Sequence, residues 1–210
     1  MIKKTQSTYI DGPVGRIETR IGRKPRQDKA TGLVVLSHPH PQFGGSMDNK
    51  VLTTLEKAFA DNGWQTLAFN FRGVGGSDGA YDGGVGEQAD LVAVVEWATM
   101  IWGVQPLALA GFSFGSYISL KQAQRLGVQR LVTVAPPVNL YDFSGIAVDA
   151  DLDWLLIQGG QDEVVDPQAV MDWARRQPHA PDILWRERAS HYFHGELIWL
   201  RRVVSALMPS

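Results

Sequence analysis

The chain has 210 residues, of which 44% are apolar and 20% charged, and this composition predicts a folded domain rather than a disordered segment. Twenty Lys and Arg against 22 Asp and Glu give a net charge of −2, so we expect neither nucleic acid nor an anionic membrane as a partner. Because the chain contains no cysteine, thiolate catalysis, disulfides and Cys-ligated metal centres are excluded.

Short apolar segments alternate with stretches of helical periodicity. This alternation predicts an α/β fold with a mostly parallel, doubly wound sheet and helices on both faces. The predicted strands are almost continuously apolar, as strands buried on both faces are, and a further strand is expected around Ile17. In chain order they are Leu33–Ser37, Thr66–Phe69, Pro106–Ala110, Leu131–Ala135, Leu152–Gln158 and Ile183–Arg186. No repeat or linker divides the chain, so residues 1–210 are predicted to form one domain.

Helices are predicted where apolar residues recur at helical spacing, and residue types at their ends suggest where they begin. Asp48 is the expected cap of the first helix and Asp166, followed by a proline, of the fourth. The last helix is expected to begin around Phe193. The predicted helical stretches are 51–59, 91–98, 117–123, 167–176 and 197–207.

The residues from Gly111 to Gly115 read Gly-Phe-Ser-Phe-Gly and match G-x-S-x-G, the nucleophile elbow of α/β-hydrolases. An apolar strand leads directly into Gly111 and a helical stretch follows Gly115, which is the context that the motif needs. Glycines on both sides let a serine in a strained turn fit between strand and helix. Ser113 is therefore predicted to be a nucleophile, and the alternative is an ordinary serine cap of a helix.

A second G-x-S-x-G match runs from Gly75 to Gly79 and carries Ser77. It lies in a glycine-rich stretch without a strand directly before it and a helix directly after it. Ser77 is therefore predicted to be a turn residue.

A serine nucleophile needs an imidazole that takes its proton and a carboxylate that orients the imidazole. In α/β-hydrolases these follow in the order Ser, acid, His. Asp162 comes after a predicted strand and a Gly-Gly-Gln turn, which brings its carboxylate to the same sheet edge as the serine. Asp142 is the reserve candidate. Asp166 is assigned to a helix cap, and Glu163 is expected to point elsewhere.

His191 lies a few residues beyond the last predicted strand, in the loop before the final helix, which is where the base of such a triad belongs. His194 is the alternative, but a helix that begins around Phe193 would place its ring on the first helical turn. Three residues in this order, each behind its own strand, predict the triad Ser113, Asp162 and His191.

A tetrahedral intermediate needs two backbone N–H donors, one from the residue after the nucleophile and one from the loop after an early strand. Phe114 supplies the first. The second comes from the loop 38–45, in which two prolines have no N–H. Gln42 is the first choice because it lies two residues before a glycine, and Phe43 and His40 are the alternatives.

Two further patterns suggest different chemistry. His38 and His40 form the His-x-His pattern of some metal-dependent hydrolases. That hypothesis leaves the elbow at Ser113 without a role, so hydrogen bonds within their loop are the expected function of both histidines. The segment 84–89 matches the G-x-G-x-x-A of dinucleotide binding but lacks the preceding strand and the later acidic residue. We therefore predict neither a metal nor a cofactor.

Several segments resemble the α/β-hydrolase superfamily, and in particular its small lidless members, whose architecture is that of dienelactone hydrolase. They are His38-Pro39-His40-Pro41 with Gly44-Gly45, Asn70 to Ser77, the elbow itself, Gly159 to Asp162, and Ser190 to Gly195. The resemblance covers nearly the whole chain and implies the same triad. One departure is Asn70, which stands where the superfamily's D-x-R-G-x-G-x-S segment has aspartate. That segment is structural, so catalysis does not depend on it.

The resemblance implies a serine hydrolase that forms an acyl-enzyme with small esters, thioesters or lactones and needs no cofactor. The stretch between nucleophile and acid is too short for a cap domain, so the site is expected to be open. The residues expected to wall the site and contact substrate are Phe43, Phe114, Tyr141, Val164 and Tyr192. An acyltransferase with the same triad and a binding module with a vestigial site are the alternative functions.

The expected partner is a small acyl compound, and nothing in the sequence indicates an oligomeric state. No apolar run approaches the roughly 20 residues that cross a bilayer, so no membrane association is expected. Lys3 and Lys4 are followed by polar residues and not by the apolar stretch of a secretory signal. The expected compartment is therefore the cytoplasm.

Overall fold

The computed structural model of the protein describes residues 7–22, 30–103 and 106–207, which form helices around an eight-stranded sheet. In chain order the strands are β1 (Ser7–Gly12), β2 (Gly15–Ile21), β3 (Leu33–Ser37), β4 (Gln65–Phe69), β5 (Leu107–Phe112), β6 (Arg130–Val134), β7 (Asp153–Gly159) and β8 (Asp182–Arg186). They lie side by side in the order β1-β2-β4-β3-β5-β6-β7-β8. β2 pairs antiparallel with β1 and β4, and every other pair is parallel. The predicted α/β fold with a mostly parallel sheet is confirmed.

Helices cover both faces of the sheet and enclose two apolar cores. They are α1 (Lys50–Asp61), α2 (Gly86–Trp102), α3 (Phe114–Ala123), α4 (Pro167–Arg175) and α5 (Leu197–Leu207). α1 and α5 contribute Phe59 and Leu200 to the core on one face, whereas α2, α3 and α4 contribute Leu91, Ile118 and Trp173 to the core on the other. Among the described residues, none of the helices is both long and apolar enough to cross a bilayer.

The strands predicted from apolar runs are all present, and their ends differ from the predictions by at most two residues. The strand expected around Ile17 is β2. The sequence analysis does not predict β1, which reads Ser-Thr-Tyr-Ile-Asp-Gly. β1 is an edge strand with a single neighbour, so it covers little of the core and carries no continuous apolar run.

Helix starts differ from the predictions: α2 and α3 begin five and three residues before the predicted stretches, and the starts of α1 and α5 differ as well. The side chain of Asn49, and not that of Asp48, caps α1 by accepting two backbone N–H groups of its first turn. The carboxylate of Asp48 instead pairs with Arg20. α5 begins at Leu197 and not around Phe193. Phe193 has a φ of 52° and Gly195 a φ of 76°, left-handed conformations that a right-handed helix cannot contain.

The parallel strands place their carboxyl ends at one edge of the sheet, so the loops that follow β3, β5, β6, β7 and β8 converge there. Residues 135–152, between β6 and β7, contain no helix or strand. No cap domain is therefore inserted over this edge, as the sequence analysis predicts.

Candidate active site

Ser113 occupies the sharp turn between β5 and α3, with φ 53° and ψ −117°. A non-glycine residue in such a conformation is strained, and it persists only where its surroundings hold it. The N–H of Ser113 donates to the carbonyl oxygen of Val134 on the neighbouring strand β6 at 2.8 Å. Its hydroxyl makes no capping hydrogen bond to α3. The structure therefore has the strand, turn and helix of a nucleophile elbow at Ser113, and the hydroxyl does not serve as a helix cap.

Gly111 and Gly115 have no room for a side chain. A Cβ atom on Gly111 would lie 2.4 Å from the carbonyl oxygen of Gly115, and one on Gly115 would lie 2.0 Å from the carbonyl oxygen of Ser37. Both obstacles are backbone atoms, which cannot move aside as the end of a flexible side chain can. The steric reason for the two glycines of the motif is thus confirmed.

Ser116, which the sequence analysis does not single out, holds the same turn from inside. It is fully buried, and its Oγ donates to the carbonyl oxygen of Gly111 at 2.8 Å and accepts the N–H of Val134 at 3.1 Å. The elbow is thereby tied to β6 by a side chain as well as by the backbone. The only sequence signal for this role is a small polar residue on a helix that is buried nearly all round.

Ser77, in the second G-x-S-x-G match, has a different environment. Its Oγ donates to the carbonyl oxygen of Asn70 at 2.7 Å and accepts the N–H of Glu18 at 2.9 Å. These bonds hold the loop after β4 against β2. The prediction that Ser77 is a turn residue is confirmed.

Asp162 lies in the turn after β7, and its carboxylate is surrounded by donors. Oδ1 accepts the N–H groups of Val164 and Val165 at 2.9 and 2.8 Å, and Oδ2 accepts from Gln158 Nε2 at 3.2 Å and from His191 Nδ1 at 2.9 Å. Burial alone would raise the pKa of Asp162. The hydrogen bond and charge interaction with His191, together with the two backbone N–H groups, outweigh burial and hold that pKa below the ordinary value.

His191 lies in the loop after β8 and is 2% exposed. Its ring packs against Phe112 and Tyr192, with ring centroids 4.9 and 5.1 Å away. Because Nδ1 contacts the carboxylate of Asp162, Nδ1 carries the proton and Nε2 is left as the acceptor. The expectation that Glu163 points elsewhere is wrong, since its carboxylate accepts the backbone N–H of His191 at 3.0 Å.

The rival candidates for acid and base lie elsewhere. The exposed carboxylate of Asp142 accepts the backbone N–H of Ser144 at 2.8 Å. Asp166 caps α4 as predicted, with its side chain on two backbone N–H groups. His194 is exposed in a turn three residues before α5, not on a helix. Of these candidate acids and bases, all of which the structure describes, only Asp162 and His191 are in contact through their side chains.

A cavity of about 580 Å³ is bordered by both Ser113 and His191. Every residue predicted to wall the site borders it: Phe43, Phe114, Tyr141, Val164 and Tyr192. Four further residues line the cavity without having been predicted as its walls, namely Pro39, His40, Pro137 and Leu140. Pro137 and Leu140 lie in the loop that follows β6, as does the predicted Tyr141.

The rim of the cavity is apolar and open. Phe43, Leu140 and Val164 border the cavity with 79%, 55% and 42% of their surface exposed. Large apolar side chains at this exposure are accessible to a ligand before it enters.

The N–H of Phe114 opens α3, so it has no acceptor within the helix. The backbone N–H of Gln42, by contrast, already has an acceptor. Its N–H donates to the ring of His40 at 3.1 Å, and Gln42 is exposed and does not border the cavity. The alternative Phe43 donates its N–H to the carbonyl oxygen of His40 at 3.2 Å. His40 itself borders the cavity from between two prolines.

His38 and His40 support their loop, as predicted. His38 is fully buried; its Nε2 accepts the N–H of Phe71 at 3.0 Å, and its Nδ1 lies 2.6 Å from the carbonyl oxygen of Pro39. Burial lowers the pKa of His38 to about 4 and also lowers that of His40. Within the described parts of the chain, no group of three His, Asp or Glu side chains has the arrangement to hold a metal ion.

Comparison with known proteins agrees with this architecture. The family model described as alpha/beta hydrolase fold matches residues 40–154. An uncharacterized protein of Rickettsia prowazekii (strain Madrid E) is 38% identical over 173 residues, which are 80% of this chain and 71% of that protein. The chain therefore belongs to the α/β-hydrolase fold family.

Two solved structures extend the similarity to almost the full length. An α/β serine hydrolase without lid from Xanthomonas campestris is 40% identical with a TM-score of 0.91, covering 99% of this chain and 95% of that one. An alpha-beta serine hydrolase homologue from Coxiella burnetii is 43% identical with a TM-score of 0.92, covering 98% of both chains. The predicted membership of the lidless group is confirmed.

Proposed function

We propose that the protein is a carboxylesterase or thioesterase that cleaves small acyl esters through an acyl-enzyme on Ser113. The observation that carries the proposal is the hydrogen-bonded pair of Asp162 and His191, whose imidazole borders the same cavity as Ser113. A strained, uncapped serine that borders the same cavity as an imidazole oriented by a carboxylate supplies the groups of a nucleophile, base and acid.

In the proposed reaction, Nε2 of His191 takes the Oγ proton of Ser113 while Oγ bonds to the acyl carbon. The bond from that carbon to the leaving oxygen or sulfur then breaks, and His191 gives its proton to the departing alcohol or thiol. Water attacks the acyl-enzyme, its proton passes through His191 back to Oγ, and the acid is released. Asp162 stays ionised, because of its low pKa, and stabilises the charged imidazole.

The oxyanion of the tetrahedral intermediate is proposed to accept the N–H groups of Phe114 and His40. Phe114 directly follows the nucleophile at the start of α3, where the helix dipole also favours negative charge. His40 takes the place of Gln42, because the N–H of Gln42 is already bonded to the His40 ring. The second proposed donor is therefore the N–H of His40, which borders the cavity and lies between two prolines.

The cavity favours an uncharged, apolar acyl group. None of its eleven lining residues is Asp, Glu, Lys or Arg, and the proposed contact residues are Phe43, Tyr141, Val164 and Tyr192. A volume of about 580 Å³ lies within the range of roughly 300–1,000 Å³ for small-molecule pockets. A charged acyl chain would lose its hydration here without gaining an ion pair.

Hydrolysis of p-nitrophenyl butyrate tests the proposal. We expect Ser113→Ala to lower kcat/KM roughly 10⁴-fold or more, because the proposed triad acts as a unit. Ser77→Ala is the matched control, since it changes the serine of the other G-x-S-x-G match. It should keep kcat/KM within about twofold of the wild type. A fluorophosphonate should label Ser113 in the wild type and in Ser77→Ala. Full activity of Ser113→Ala would refute the proposal.

A further inference from the structure

The turn after β7 and the loop after β8 are docked along their length. The N–H of Gly160 donates to the carbonyl oxygen of Arg186 at 2.9 Å, and the N–H of Gln161 donates to that of Ala189 at 3.0 Å. One segment carries the proposed acid and the other the proposed base. Their relative position therefore decides how the imidazole meets the carboxylate.

Two glycines allow this close approach. A Cβ on Gly159 would lie 2.4 Å from the carbonyl oxygen of Ala189, and a Cβ on Gly160 would lie 2.5 Å from that of Glu187. Any side chain at either position would push the two segments apart. The backbones are thus in direct contact up to the residue before the acid.

Glu163 continues the contact from the other side of the acid. Its carboxylate accepts the N–H of His191 at 3.0 Å, while the preceding residue, Asp162, accepts from the ring of the same histidine at 2.9 Å. Two consecutive carboxylates therefore hold one residue, one by its backbone and one by its side chain. Glu163 itself is exposed, so it packs into no core, and this hydrogen bond is its contact with the loop.

We propose that Glu163 is a positioning residue for the proposed base. His191 lies between β8 and α5, outside any helix or strand, so no regular backbone ladder fixes its main chain. The Glu163 carboxylate fixes it, which keeps Nδ1 on Asp162 and Nε2 directed to the cavity. This inference rests on the proposed function for its kinetic readout. The hydrogen-bond acceptor, and not the negative charge, is what the role requires.

Two conservative variants separate the acceptor from the charge. Glu163→Gln removes the charge and keeps an oxygen at the end of a side chain of the same length. Glu163→Asp keeps the charge and draws the oxygen back by roughly 1.5 Å, one carbon–carbon bond. Glu187→Ala is the matched control, because Glu187 is an exposed glutamate in the same loop whose carboxylate binds Trp185 and not His191.

We expect Glu163→Asp to lower kcat for p-nitrophenyl butyrate by roughly 10-fold with KM within about twofold, because a misplaced base slows the chemical steps and not binding. Glu163→Gln and Glu187→Ala should both stay within about threefold of the wild-type kcat. Unchanged kcat in Glu163→Asp would overturn the inference. An equal loss in Glu163→Gln would overturn it as well, since charge would then be the cause.

A proton NMR measurement gives a readout that does not depend on turnover. The Nδ1–H proton of His191, hydrogen-bonded to Asp162, should give a low-field resonance that persists in Glu163→Gln and in Ser113→Ala. It should broaden or disappear in Glu163→Asp. If the wild type hydrolyses no ester but the resonance follows this pattern, the proposed function fails and the positioning role stands. If hydrolysis depends on Ser113 and the resonance is unchanged in Glu163→Asp, only the positioning role fails.

Discussion

Replacing Asp162 by asparagine keeps the shape of the side chain and exchanges one acceptor oxygen for an NH2 donor. Oδ1 accepts the N–H groups of Val164 and Val165, so asparagine keeps its oxygen at that position. Its nitrogen then replaces Oδ2, which accepts from Gln158 Nε2 and His191 Nδ1. Both of these partners are donors. His191 Nδ1 lies closer to Oδ2, at 2.9 Å, than to Oδ1, at 3.1 Å. The amide nitrogen at the nearer position therefore favours an imidazole that accepts on Nδ1 and carries its proton on Nε2, the atom proposed to take the proton of the serine.

The expected loss in kcat/KM for Asp162→Asn is about 10³- to 10⁴-fold, or roughly 4 to 5.5 kcal/mol of transition-state stabilisation. Two effects contribute. The wrong tautomer removes the base, and the missing negative charge no longer stabilises the imidazolium that forms during acyl transfer. The assay is hydrolysis of p-nitrophenyl butyrate at neutral pH, with circular dichroism and a thermal melt to establish that the variant is folded.

Asp142→Asn is the control, because Asp142 is the reserve acid from the sequence and its carboxylate is exposed and bound to Ser144. Its kcat/KM should stay within about twofold of the wild type. A folded Asp162→Asn variant with more than about a tenth of wild-type kcat/KM would refute the tautomer argument. A large loss of kcat/KM in Asp142→Asn would instead identify Asp142, and not Asp162, as the acid.

The remaining predictions concern stability. Because burial lowers the pKa of His38 to about 4 from 6.5, the unfolded chain takes up this proton first as the pH falls. The free energy of unfolding should therefore decrease by about 3 kcal/mol between pH 6.5 and pH 4. Urea titrations at several pH values measure this change, and the free energy of unfolding of His38→Gln should lack it. The same pH dependence in wild type and variant would contradict the assignment to His38. Gly115→Ala should cost more than about 3 kcal/mol because its Cβ meets the carbonyl of Ser37, whereas Gly127→Ala, with φ 62° and nothing within 4 Å, should cost about 1 to 2 kcal/mol. Equal losses of the free energy of unfolding in Gly115→Ala and Gly127→Ala would contradict the prediction, because the backbone would then have moved to relieve the clash with Ser37.

Much of the architecture could be predicted because the strands of a parallel sheet are buried on both faces and so appear as continuous apolar runs. Side chains directly behind such runs share one edge of the sheet. Ser113, Asp162 and His191 each follow their own strand, and the structure brings Asp162 and His191 into hydrogen-bond contact and Ser113 and His191 to one cavity. The position of each residue directly behind a strand, and not its distance from the others along the chain, predicts that the three lie close together.

Details that depend on a single hydrogen bond could not be predicted in the same way. Spacing favoured Gln42 as a backbone donor, but the ring of His40 takes its N–H. Asp48 and Asn49 are both good helix caps, but Asn49 caps α1 while Asp48 pairs with Arg20 of a distant part of the chain. The hydrogen bond from His191 N–H to Glu163 could not be predicted, because the sequence does not show which side chain accepts a backbone N–H of another loop.

The contact between the turn that carries the proposed acid and the loop that carries the proposed base has a consequence for protein engineering. The glycines that permit the contact and the two carboxylates that bind the ring and the backbone N–H of His191 lie within residues 153–191, together with the histidine itself. Grafting this chemistry onto another parallel sheet would thus require that whole stretch as one cassette. The serine would travel separately, in β5 and α3 with its own two glycines. The transferable units are two pieces of backbone rather than three side chains.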